Sequence, residues 1–196
     1  MDRSDTASYA GLDEALALAR RVHSLHRSRD GNPYFAHAAA VLERTDRLIS
    51  LIPVAALNPA EAEQARILAV LHDVVEERAQ TGVCASDLLA LGFDPRIVAW
   101  ITRLSGRPAG MSYQDNVRAL AAEPDLAPIL VKLADNDHNM DPDRIAALPP
   151  GERDILHRYE RSSAVLADEL GRRTGIRVSL PILGGPVEAR APAPAR

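Results

Sequence analysis

A single cysteine, Cys84, is all that the chain carries, so no internal disulfide can form and a cysteine-built zinc cluster is excluded. Aromatic residues make up only 4% of the sequence, although strands draw heavily on aromatic and β-branched side chains. Ala, Leu and Arg are abundant instead, and these favour helices. No apolar run approaches the ~18–20 residues that cross a bilayer. Met1 to Gly11 is polar and lacks the apolar stretch of a signal peptide. A membrane partner is therefore not expected, and a cytoplasmic setting is. The net charge of −4 argues against a nucleic-acid polymer as partner, while leaving room for a local basic patch that holds a small polyphosphate. No Gly-x-Ser-x-Gly elbow, Walker-type phosphate loop or dinucleotide-binding glycine pattern is present.

What remains is a soluble chain with 46% apolar and 26% charged residues, and 196 residues suit one domain with a substantial core. Apolar spacing predicts a helix from Leu12 to Arg27, with Leu12, Ala15, Leu16, Ala19, Val22 and His23 on one face. Ser28 to Pro33 reads as a turn, followed by a helix from Tyr34 to about Leu51. Asn58 and Pro59 open a helix expected to run through to about Glu77. Gln80-Thr81-Gly82 breaks the pattern, and two short helices follow near residues 86–91 and 95–104. Ser112 is positioned to cap a helix to about Ala122, and Asp125 to cap the one that carries Lys132 to Asn139. Pro149-Pro150-Gly151 precedes a last long helix, about Glu152 to Gly171. Ile176 to Leu183 reads as a short strand or extended arm. The expectation is a single all-α domain over residues 12–171, a flexible N-terminus over 1–11, and a C-terminal arm with a mobile Pro/Ala-rich tail over 172–196.

Chemistry-bearing residues interrupt several of these apolar segments. They stand in Tyr34-Phe35-Ala36-His37, in Leu71-His72-Asp73-Val74-Val75-Glu76-Glu77, and in Lys132-Leu133-Ala134-Asp135-Asn136-Asp137-His138-Asn139. On a helix, residues four apart share a face, which pairs His72 with Glu76, Asp73 with Glu77 and Asp135 with Asn139. Each polar group taken alone has an ordinary structural explanation. Their coincidence on several apolar faces is harder to explain, because a buried imidazole or carboxylate without a partner is costly. A mixed set of imidazoles and carboxylates suits Mn, Fe, Co, Ni or Zn, and such an ion activates water and polarises a phosphoryl group. Arg20, Arg21, Arg27 and Arg29 cluster around the first turn, and Lys132 lies one turn before Asp135; Arg29 and Lys132 are the candidate phosphate contacts. His23 reads as structural, and Tyr113 and Trp100 as packing residues.

With the block His23 to His37, Leu71 to Glu77, Ile101-Thr102-Arg103-Leu104 and Val131 to Met140 in this order, the sequence resembles the HD-domain phosphohydrolases. Within them it is most similar to the hydrolase domain of the RelA/SpoT-type alarmone enzymes and the stand-alone metazoan SpoT homologue. The resemblance implies an HD-domain helical bundle with Mn²⁺ held by His37, His72, Asp73 and Asp135. It further implies that Glu76 and Glu77 form the acidic catalytic pair and that Asn139 contacts substrate. The implied reaction removes pyrophosphate from the 3′ position of (p)ppGpp; the alternatives are the same chemistry on another nucleotide, or a catalytically weak domain that senses a nucleotide or metal. The oligomeric state is left open, including a homo-oligomer. Four positions differ from the family pattern: Glu77 stands where Asp is usual, Ser28 replaces one member of a cationic pair, and Asn136-Asp137 replaces Arg-Leu. The last change is expected to make the phosphate environment less cationic.

Overall fold

The computed structural model describes residues 9–28, 31–183 and 187–189. Its organising element is α8 (Ala127–Asn139). Ile129, Leu130, Val131, Leu133 and Ala134 are all fully buried, and a helix that is apolar on every side belongs in a core. Around it pack α2 (Tyr34–Leu51), α3 (Pro59–Leu71) and α10 (Ile155–Thr174). α3 ends in the same way, with Leu68, Ala69, Val70 and Leu71 nearly or wholly buried. α1 (Leu12–Val22) lies on α3, while α5 (Ala85–Ala90) and α6 (Pro95–Ser105) form a pair with α6 packed on α3. α7 (Tyr113–Ala121) packs against α10. Single-turn α4 (Arg78–Thr81) and short α9 (Pro142–Ala147) complete the helices among the described residues. The all-α expectation holds. The extended segment is β1 (Ile176–Val178), antiparallel to β2 (Val187–Ala189), with Ile176 opposite Ala189.

Local chemistry explains most boundaries. Asn58 accepts from the Glu61 N–H at 3.0 Å, with Pro59 at the first helical position, and Ser112 accepts from the Asp115 N–H at 3.1 Å. α8 departs from expectation, since Leu126 precedes it without a side-chain cap. Asp125 instead binds Arg96 on α6 and accepts from Trp100 Nε1 at 3.1 Å. α1 also stops earlier than its spacing predicts. The chain turns at His23, the Tyr34 N–H donates to the His26 carbonyl at 2.9 Å, and Arg27 bridges to Pro33. Leu18, not Val22, joins Ala15 and Ala19 in the buried face. α10 begins at Ile155 after a 3₁₀ turn at Pro150–Glu152 and continues to Thr174, where Gly175 takes the left-handed conformation (φ 75°) that ends it. α9 has no counterpart in the sequence reading; Asp141 caps it by accepting from the Asp143 N–H at 3.0 Å.

Candidate metal centre

The segment expected to carry α3 through to Glu77 is instead a run of turns after Leu71. The cause is His72. Its Nδ1 lies 2.9 Å from the Ala69 carbonyl, the acceptor that a further helical turn would offer to the Asp73 N–H, and the Val74 N–H reaches back only three residues to Leu71. One helical bond survives, from the Glu77 N–H to the Asp73 carbonyl at 2.9 Å. The bend turns His72 and Asp73 towards α2 and α8. Donor atoms of His37, His72 and Asp73 lie within 4.8 Å of one another. His37 Nε2 stands 3.3 Å from Asp73 Oδ2 and 3.4 Å from Asp135 Oδ1. His72 Nε2 stands 3.0 Å from Asp73 Oδ2 and 3.8 Å from Asp135 Oδ1.

These four side chains fit a cation. A proton on His72 Nδ1, donated to the Ala69 carbonyl, leaves an Nε2 lone pair that is buried and makes no hydrogen bond. His37 Nδ1 lies 2.7 Å from His138 Nδ1, and a proton donated across that contact leaves the His37 Nε2 lone pair facing the same carboxylates. Burial, reinforced by His37, lowers the pKa of His138 to about 3, so this neighbour is neutral and able to accept. Two nitrogen lone pairs and two carboxylates crowded in a buried space repel one another unless positive charge sits among them. The acid–base balance agrees. Burial opposes a charge on His72, yet the Asp73 and Asp135 carboxylates more than offset it and raise its pKa well above the usual value. Burial likewise acts to raise the Asp73 and Asp135 pKa values, but His72 beside the first and Lys132 beside the second hold both well below the ordinary range.

The surrounding residues hold the two carboxylates in place. Tyr34 Oη donates to Asp73 Oδ2 at 2.5 Å, and its ring stacks on His26 with centroids 4.0 Å apart and on His23 at 4.7 Å. Buried His23 has its pKa lowered to about 4 by burial and then by His26. Lys132, the only lysine of the chain, donates to Asp135 Oδ2 at 2.8 Å, and Asn139 Nδ2 donates to Asp135 Oδ1 at 2.6 Å. The i,i+4 pairing of Asp135 with Asn139 is thus realised. Glu76 faces the cleft, and burial, with repulsion from Asp73 next, raises its carboxyl to about 7. Glu77 approaches His26 Nε2 at 3.7 Å. Arg29 lies outside the described residues.

The cleft over this centre encloses about 680 Å³. Beyond the expected residues it is lined by Arg107, Tyr113, Asn116, Arg144, Arg158 and Tyr159. Sequence reasoning missed these because they come from α7, α9, α10 and a loop, with no motif linking them; Tyr113 lines the cleft where a packing role was expected. Asn136 and Asp137 correct the expectation of a less cationic phosphate environment, since both are buried away from the cleft. Asn136 Nδ2 donates to Ser162 Oγ at 2.7 Å, and Asp137 accepts from Arg44 Nε at 2.9 Å and from the Ile182 N–H at 3.1 Å. The extra negative charge is neutralised inside the fold.

No family model matches the chain. It is 31% identical over 175 residues to a "Probable guanosine-3′,5′-bis(diphosphate) 3′-pyrophosphohydrolase" from Synechocystis sp., a match covering 85% of this chain and 21% of the relative. The chain therefore spans about a fifth of the length of that relative. Among solved structures it is similar to a metazoan ortholog of SpoT, described as hydrolysing ppGpp and playing a role in starvation responses. That likeness has a TM-score of 0.59 and 22% identity, covering 86% of this chain and 90% of the other. Among the described residues no helix is long and apolar enough to cross a membrane. In sequence the chain resembles that pyrophosphohydrolase, and in fold it resembles the metazoan SpoT ortholog.

Proposed function

We propose that the chain is a Mn²⁺-dependent hydrolase that removes pyrophosphate from the 3′ position of (p)ppGpp, with residues 12–171 as the hydrolase domain. The observation that carries this reading is the Nε2 of His72, which is buried beside two carboxylates without a hydrogen bond, with the His37 ring 5.2 Å away between centroids. His37, His72, Asp73 and Asp135 would hold the ion. When bound, such an ion lowers the pKa of water and polarises a phosphoryl oxygen.

The residues of the chain supply the rest. Glu76, with a carboxyl at about 7, is matched to accepting a proton near neutral pH. It takes the proton of the attacking water as an oxygen–phosphorus bond forms. The bond from phosphorus to the ribose 3′ oxygen breaks, and that oxygen takes up a proton as it leaves. Glu77, beside His26, is the second acid of the pair. Lys132 and Asn139 hold Asp135 and border the cleft, where they meet the substrate; Arg29 is proposed from the sequence as a further substrate contact. The cytoplasm is the proposed place of action and the stringent response its setting. Glu76→Gln is expected to keep Mn²⁺ binding by calorimetry and lose at least a hundredfold in pyrophosphate release. Asp73→Ala is expected to lose both. Parental turnover in both variants would refute the assignment.

A further inference from the structure

The positive charges of the cleft are not equivalent. Lys132, at its floor, is already engaged by Asp135 at 2.8 Å. Arg158 projects from the start of α10 into the same cleft, and its guanidinium carbon lies 4.6 Å from the Tyr113 ring centroid and 5.7 Å from that of Tyr159. Among the described residues no carboxylate forms an ion pair with Arg158 or with Arg107, which lines the cleft from the loop between α6 and α7. A guanidinium laid on aromatic rings keeps its edge donors available and loses little freedom when it binds, and that edge matches a phosphate. Tyr113 adds a buried hydroxyl with no hydrogen-bond partner on the same wall. The cleft is therefore acidic around Asp73, Glu76 and Asp135 and cationic at Arg158 and Arg107.

We propose that Arg158, held over Tyr113 and assisted by Arg107, forms a second anion subsite that binds the phosphates of the substrate remote from the scissile group. Resting on the function proposed above, this makes Arg158 a specificity residue: it selects nucleotides that carry phosphate at both the 3′ and the 5′ positions. A 3′-diphosphate at the metal end leaves the 5′-diphosphate for the Arg158 wall. Neither Arg158 nor Tyr113 belongs to the metal-ligand set, and neither stands in the motifs that first pointed to it.

The test compares ppGpp with guanosine 3′-diphosphate, which lacks the 5′ phosphates, on the Mn²⁺-loaded full chain. Arg158→Ala is expected to lower the ratio of the two kcat/KM values at least tenfold, chiefly through KM for ppGpp, with Arg158→Lys intermediate. An equal loss on both substrates would overturn the subsite. A second measurement is independent of turnover: calorimetric titration of metal-stripped protein with GDP, whose diphosphate is the 5′ one. The wild-type chain is expected to bind and Arg158→Ala to bind at least tenfold more weakly. Absence of wild-type binding, or equal binding by both, overturns the proposal even where ppGpp is hydrolysed. GDP binding that depends on Arg158, without ppGpp hydrolysis, would sustain the subsite and refute the proposed reaction. Circular dichroism of each variant separates loss of binding from loss of fold.

Discussion

Arg44 and Asp137 form a buried ion pair that joins the helices carrying His37 and Asp135. Their residues are 8% and 4% exposed, so neither charge is well solvated. The two have unequal reserves. Arg44 also donates from Nη1 to the Ala40 carbonyl at 3.2 Å and lies 3.8 Å from Asp141. Asp137 otherwise has the Ile182 N–H at 3.1 Å. Removing one partner of a buried pair costs about 3–5 kcal/mol, because the other is left charged and dry. Arg44→Met, which strands Asp137, is expected at about 3–4 kcal/mol, and Asp137→Leu, which lets Arg44 turn to Asp141, at about 2–3 kcal/mol. The double variant removes both charges and is expected to cost less than the sum of the singles by about 2 kcal/mol. Urea denaturation reads this directly. With a slope of about 2–3 kcal/mol per molar, Arg44→Met should lower the midpoint by about 1–2 M. Singles that each cost under about 1 kcal/mol, or that add in the double variant, would refute the reasoning.

Tyr34→Phe removes the donor to Asp73 and keeps the ring stack, so Mn²⁺ affinity measured by calorimetry should fall about tenfold or more; unchanged affinity would show that Asp73 needs no orienting partner. Carboxyl NMR of metal-stripped protein should place the Glu76 midpoint at about 7, whereas an ordinary value near 4.5 would mean that the cleft hydrates this group fully. Glu169 is held down at about 2 by Arg172, with Arg173 assisting, against the opposing effect of burial. Because its folded pKa lies below its unfolded value, its contribution to stability is present above about 4.5 and is lost as pH falls towards about 2. Glu169→Gln should therefore destabilise by about 0.5–1 kcal/mol at pH 7 and by progressively less as pH falls below 4.5; a loss that does not change with pH would count against the pairing.

Much of this architecture was legible because local signals coincided. Asn58-Pro59 and Ser112 mark helix starts by capping chemistry that needs no tertiary information. The apolar run around Ile129 to Val131, interrupted at Asp135, marks both the central helix and the place where it meets the cleft. Departures occurred where side-chain contacts outweighed the expected pattern. Asp125 reads as a cap but is drawn to Arg96 and Trp100. The expected helix through Glu77 ends at Leu71 because the His72 ring occupies the Ala69 carbonyl, a contact that periodicity does not encode. Asp137 reads as cleft charge until Arg44, 93 residues away, is seen to neutralise it. The Tyr113–Arg158 wall was invisible for a related reason: its members come together only when α7 packs on α10.

The most direct test of the central claim is pyrophosphate release from ppGpp by metal-stripped protein, before and after addition of Mn²⁺. The stripped protein is expected to release none, and release, with GDP as the other product, is expected to return once Mn²⁺ is bound. Release without metal, or no release from protein shown to hold Mn²⁺, would contradict that claim.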